Sequence, residues 1–71
     1  MIELVKILEK AQENFDEAMY WFDRYRLFKD EMQYNLWHEH MVKAETYLDA
    51  YAILTDEKIK VWDIAEELKR Y

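Results

Sequence analysis

The chain's two histidines, His38 and His40, stand two residues apart in "WHEHM". Imidazole is the side chain best suited to ligating a metal or moving a proton near neutral pH. On a helix, however, residues two apart point about 200° away from each other, so this pair cannot share one ion. A di-iron carboxylate bundle would need Glu three residues before each His. Asn35 and Trp37 occupy those positions. Cysteine is absent, which removes thiolate metal sites and disulfides together. No metal and no cofactor are expected. His40 falls on the apolar seam of its helix and reads as a hydrogen-bonded core or interface residue whose protonation would loosen the fold in mild acid. His38 falls on the polar flank.

The chain's 16 Asp and Glu residues offer no better start for catalysis. None falls on an apolar seam, where burial would raise its pKa for acid–base work. No Ser/His/Asp or Cys/His set exists, and a chain without glycine has no loop to cradle phosphate. The sequence predicts that the protein is not an enzyme.

What positions these residues is helix. Glycine and proline are both missing, and a chain rich in Glu, Lys, Leu, Ala and Met without breakers reads as nearly all α. Leu4, Leu8, Ala11, Phe15, Ala18, Phe22 and Tyr25 recur at alternating spacings of four and three, the seam of a packed helix flanked by Ile7 and Met19. That phase fails beyond Tyr25. A second seam fits Tyr34, Trp37, Met41, Ala44, Leu48 and Tyr51. The jump lies between Phe28 and Gln33, so the chain is expected to reverse there, with Asp30 as N-cap and Gln33 reaching back to it.

Placing Phe15 opposite Ala44 sets Ala11 against Leu48, Ala18 against Met41 and Leu8 against Tyr51. Each alanine then meets a large side chain, which lets facing layers interdigitate. Phe22 with Trp37 and Tyr25 with Tyr34 set large against large, and this end is expected to splay. Thr55 to Lys60 reads as a connection, with "KIKV" a candidate for briefly extended backbone. Val61, Ile64, Leu68 and Tyr71 then mark a short third helix. The expectation is a single all-α domain over residues 1–71: a long antiparallel helical hairpin (helices at about 2–28 and 31–54) plus a short C-terminal helix at about 61–70.

A chain of 71 residues buries only about 60% of the surface its unfolded form exposes, and small folds usually need a staple. With 52% apolar residues and no disulfide, the remaining staple is self-association or unusually dense packing, and a homo-oligomer is expected. A net charge of −6 repels phosphate backbones and argues against direct nucleic-acid binding. No apolar run approaches the roughly 20 residues that span a bilayer, and "MIELVKILEK" lacks the order of a signal peptide. No membrane association is expected, and the default location is cytoplasmic.

The stretch "AMYWFDRYRLF", residues 18–28, carries five aromatic side chains in eleven residues. Ala18, Phe22 and Tyr25 belong to the seam. Trp21 and Phe28 sit on its shoulder, where a third helix would cover them. Tyr20 and Leu27 point away, and Val42, Ile53 and Trp62 also fall off their seams. That is more apolar surface than a small monomer should show, and interfaces favour Trp, Tyr, Met and Arg at their centres. Tyr20, Trp21, Leu27 and Trp62 are therefore the candidate partner-binding residues. Glu9, Glu13, Asp16 and Asp23 on the first helix, and Glu31, Glu45 and Asp49 on the second, form an outer acidic face. It reads as solvated surface or, more sharply, as carboxylates imitating phosphates in a partner's basic groove.

With "ETYLDAYAILT" closing the second helix and "VWDIAEEL" in the third, the chain resembles small uncharacterised acidic helical-hairpin proteins of Gram-positive phages and mobile elements. Such proteins often have Gly after the Thr, where this chain has Asp56. The resemblance implies a small accessory protein acting on host machinery and carries over no site residues. The residues point first to a non-enzymatic protein-binding module that regulates or inhibits a partner protein by covering its surface. An acidic nucleic-acid mimic blocking a nucleic-acid-binding or defence protein is the alternative, and a structural oligomerisation unit a third.

Overall fold

The computed structural model describes residues 2–71. Helix α1 runs Ile2–Phe28 and helix α2 runs Glu31–Thr55. A 3-10 turn at Val61–Asp63 leads into the short helix α3, Ile64–Leu68. At 1.5 Å per residue, the 27 residues of α1 make a rod of about 40 Å, which is the longest dimension of the molecule, 40 × 20 × 17 Å. The all-α hairpin with a short third helix is what the apolar phase predicted. The third helix is shorter than expected, because residues 61–63 wind as 3-10 and residues 69–70 as turn.

Only Lys29 and Asp30 separate the long helices. Lys29 takes a left-handed conformation (φ 56°) and its N–H closes on the Tyr25 carbonyl at 2.7 Å, ending α1 without a glycine. Asp30 is extended, and its carboxylate accepts the Met32 N–H at 3.0 Å, an N-cap that satisfies one orphan donor of α2. Gln33 does not reach back to the cap. Its side chain is buried instead, and its Oε1 is left without a hydrogen-bond partner. At the far end Asp56 is also left-handed (φ 60°), donating to the Ala52 carbonyl at 2.7 Å. Lys60 is extended (φ −90°, ψ 156°) before the 3-10 turn, and no strand occurs among the described residues.

The interhelical register follows the two seams. Phe22 meets Trp37 with ring centroids 5.0 Å apart, and Tyr25 meets Tyr34 at 5.4 Å. The rings of these large pairs stay in contact, with interplanar angles of 47° and 60°. The core lies at the opposite end, where Leu4, Leu8, Ala11, Leu48 and Tyr51 close around Ile64 from α3. Ile64, Leu8 and Tyr51 are fully enclosed. Burying aliphatic side chains of this size contributes about 1.5–3 kcal/mol each, so Ile64 is what turns a two-helix hairpin into a three-element fold. Because α3 packs at this end, it cannot cover Trp21 and Phe28 as expected. Phe28 is exposed, and Trp21 is half-buried.

Candidate protein-binding surfaces

The aromatic stretch of α1 divides by helical geometry. Ala18 is buried, while Phe22 and Tyr25 are half-buried against α2. Tyr20 and Leu27 project outward, 52% and 76% exposed. Trp21 lies edge-on to Tyr20 with centroids 5.0 Å apart. Arg24, one turn further along, sets its guanidinium over both Tyr20 (5.6 Å) and Phe28 (5.4 Å). Such contacts at exposed sites contribute about 0.5–1 kcal/mol each and hold the planar cation in place. Tyr20, Trp21 and Leu27 thus share one stretch of α1 with Arg24 and Phe28.

Trp62 lies elsewhere. It is 68% exposed and flanks a cleft of about 240 Å³ between α2 and the segment entering the 3-10 turn. Leu48, Ile59 and Val61 give this cleft an apolar lining, and Glu45 and Asp49 give it two carboxylates. Neither carboxylate makes an ion pair among the described residues. The Lys60 ammonium rests over the indole at 5.5 Å. By the interhelical register, Glu45 and Asp49 are level with α1 near residues 10–14, so Trp62 stands about 20 Å or more along the hairpin from Leu27. The four candidate residues therefore form two surfaces, three on α1 and one at the cleft.

The acidic face is present but not uniform. Glu9, Glu13, Asp16, Asp23, Glu31, Glu45 and Asp49 are all exposed. Lys10 pairs with Glu13 at 3.4 Å and Arg26 with Asp23 at 3.9 Å, so cations interrupt the row. Such exposed pairs contribute little to stability, about 0–1 kcal/mol, yet they break the run of like charge. Glu13, Asp16 and Glu17, with Asn14 and Tyr20, line an open hollow of about 520 Å³.

The histidines diverge as the spacing requires. His38 is exposed, and His40 is half-buried, its Nδ1 3.1 Å from Asn14 Oδ1 across the hairpin. Asn14 Nδ2 donates to the Lys10 carbonyl at 2.9 Å, which turns its oxygen toward His40 and makes Nδ1 the donor. No group of three or more His, Cys, Asp or Glu side chains is placed to hold a metal among the described residues. Among the described residues, no helix is long and apolar enough to cross a membrane.

One polar cluster left almost no signature in the sequence pattern. The Tyr51 hydroxyl, on the seam, donates to Glu67 Oε2 at 2.5 Å and meets the Tyr71 hydroxyl at 2.7 Å. Arg70 bridges Glu67 and Glu57, 2.7 Å from each. Although it falls on no apolar seam, the Glu67 side chain is only 13% exposed. Burial pushes the Tyr51 hydroxyl well above the ordinary tyrosine range, and the bonds to Glu67 and Tyr71 push the same way. This cluster ties the C-terminal segment down. Its only sequence trace is the Glu67/Arg70 spacing of three.

No family model matches the chain, and no curated protein or solved structure matches it either.

Proposed function

We propose that the protein is a non-enzymatic binding module, acting in the cytoplasm, that regulates or inhibits a partner protein by covering its surface. The observation that carries this reading is Trp62: a largely exposed tryptophan beside a cleft with apolar lining and two unpaired carboxylates. Interface energy concentrates in aromatic anchors next to desolvated pockets, with charge at the rim setting orientation. A partner segment with an apolar side chain for the cleft and a Lys or Arg for Glu45 and Asp49 fits this chemistry. An accessory role of this kind is also what the resemblance to phage and mobile-element proteins implies. Mimicry of nucleic acid is less well supported, because Lys10 and Arg26 interrupt the acidic row.

A photo-crosslinking amino acid placed at position 62, and separately at Asp16, tests the reading in the native host. Position 62 is expected to trap one protein species, and the adduct should disappear when Glu45 and Asp49 are both changed to Gln. Capture from Asp16 alone, of a nucleic-acid-binding protein, would favour the mimic.

A further inference from the structure

The outer flank of α1 carries a pattern that is complementary to itself. Glu17, Tyr20, Trp21, Arg24 and Phe28 recur at spacings of three, one, three and four, so they line one stripe of the helix. Its charge reverses about the middle: Glu17 lies on one side of the Tyr20–Trp21 pair and Arg24 on the other. Glu17 is exposed, and neither it nor Arg24 forms an ion pair among the described residues. Arg24 is held instead by the Tyr20 and Phe28 rings. Tyr20 and Phe28 are 52% and 61% exposed. Here a fixed cation, an unpaired acid and two exposed aromatics share one uncovered flank.

A two-fold axis requires a surface to be complementary to itself, with residue i meeting j and j meeting i. We infer that a second copy of this chain docks on this stripe, α1 against α1 and antiparallel, with the axis between Tyr20 and Trp21. That register sets Glu17 of each copy opposite Arg24 of the other and stacks the Tyr20–Trp21 pairs at the centre. It also places Phe28 over the Glu13–Asn14 end of the open hollow. A parallel pairing would put Glu17 on Glu17 and Arg24 on Arg24, so the charges select the antiparallel arrangement. The stripe from Glu13 to Phe28 is only about 22 Å long, which makes a small interface of the weak, reversible class. This inference is independent of the Trp62 cleft, which lies on another part of the molecule.

Sedimentation equilibrium of the full chain across a concentration series, with four proteins, tests it. The wild type is expected to dimerise with a dissociation constant in the micromolar range or weaker, and Glu17→Arg or Arg24→Glu should each weaken it by about tenfold or more. The double variant Glu17→Arg/Arg24→Glu should restore dimerisation, since both pairs re-form with signs exchanged. Mixing the two single variants should likewise give a heterodimer that neither forms alone. Helix content followed by circular dichroism confirms that each variant is folded. A wild type that remains monomeric at millimolar concentration overturns the inference. So does a dimer indifferent to both single reversals, or one not rescued by the double variant. Because this readout needs no hetero-partner, its failure leaves the Trp62 reading standing, and the reverse holds equally.

Discussion

The Tyr51 hydroxyl and the Glu67 carboxylate, 2.5 Å apart, join the end of α2 to α3 through a part-buried bond. A charge-assisted hydrogen bond of this kind contributes about 1.5–3 kcal/mol, and α3 has only five residues with which to hold itself. Tyr51→Phe keeps the ring in the core and removes the bond. It is expected to lower stability by about that amount, which for a domain this size is a melting-point drop of about 4–8 °C per kcal/mol. An unchanged melting temperature would show that the bond contributes nothing.

The same hydroxyl makes stability depend on alkaline pH. Its folded pKa is raised above the ordinary value of 10.0, foremost by burial. Folding therefore favours the protonated phenol, and this contribution is complete below pH 10. Above pH 10 the unfolded chain loses the proton and the folded one keeps it, so stability falls by about 1.4 kcal/mol per pH unit for this group. Tyr51→Phe should show a shallower decline by one proton, the other tyrosines and the lysines being common to both proteins. Urea unfolding between pH 9 and 11 measures both slopes, and parallel slopes would refute the assignment.

Lys29 and Asp56 hold left-handed backbone without being glycine, at φ 56° and 60°. That region costs a residue with a Cβ about 1–2 kcal/mol, part of which glycine returns through its greater freedom when unfolded. Lys29→Gly and Asp56→Gly are each expected to stabilise the fold by about 0.5–1 kcal/mol. Thermal melts of the two variants check this, and a lower melting temperature would show that the side chains contribute more than the backbone loses.

The hairpin was legible because periodicity was the only signal in a chain without glycine or proline. A seven-residue seam that fails beyond Tyr25 and restarts at Tyr34 leaves one place to turn. The alternation of alanine with large residues set the register, and the Phe22–Trp37 and Tyr25–Tyr34 contacts agree with it. Ile64 was legible as core, but the end of the hairpin it would cap was not. Periodicity gives the buried face of a segment and not its destination, so Trp21 and Phe28 were wrongly expected to be covered. Glu67 was missed for a related reason, since its partner Tyr51 lies on another helix. Trp62 stood out as unexplained by any seam, whereas its cleft arises only where the connection folds back on Glu45 and Asp49.

The register itself has a direct test. Ala18 is buried and Met41 half-buried, and the register sets them opposite each other. Ala18→Cys with Met41→Cys should oxidise within one chain, giving a monomeric band that migrates faster without reductant. Bonds formed only between chains would reveal a domain swap at the Lys29–Asp30 turn.

The ranking of anchors against charges bears on how the protein acts. A tryptophan that is 68% exposed in the free protein contributes little to folding, so Trp62→Ala should melt within about 0.5 kcal/mol of the wild type. If the cleft is the contact surface, the same change should weaken partner binding by about 2 kcal/mol or more, roughly thirtyfold, mainly through faster dissociation. Reversing Glu13 or Asp16, which lie on the exposed acidic face, should cost less and act on the association rate. Mimicry of nucleic acid predicts the opposite order, with acid reversals dominant and affinity falling steeply between low and moderate salt, because many screened charge contacts would share the binding energy. The partner trapped from position 62, titrated with these variants across a salt series, separates the two. Affinity that survives salt and is lost with Trp62 identifies a surface-covering inhibitor, and affinity that is lost in salt with Trp62 indifferent identifies a mimic.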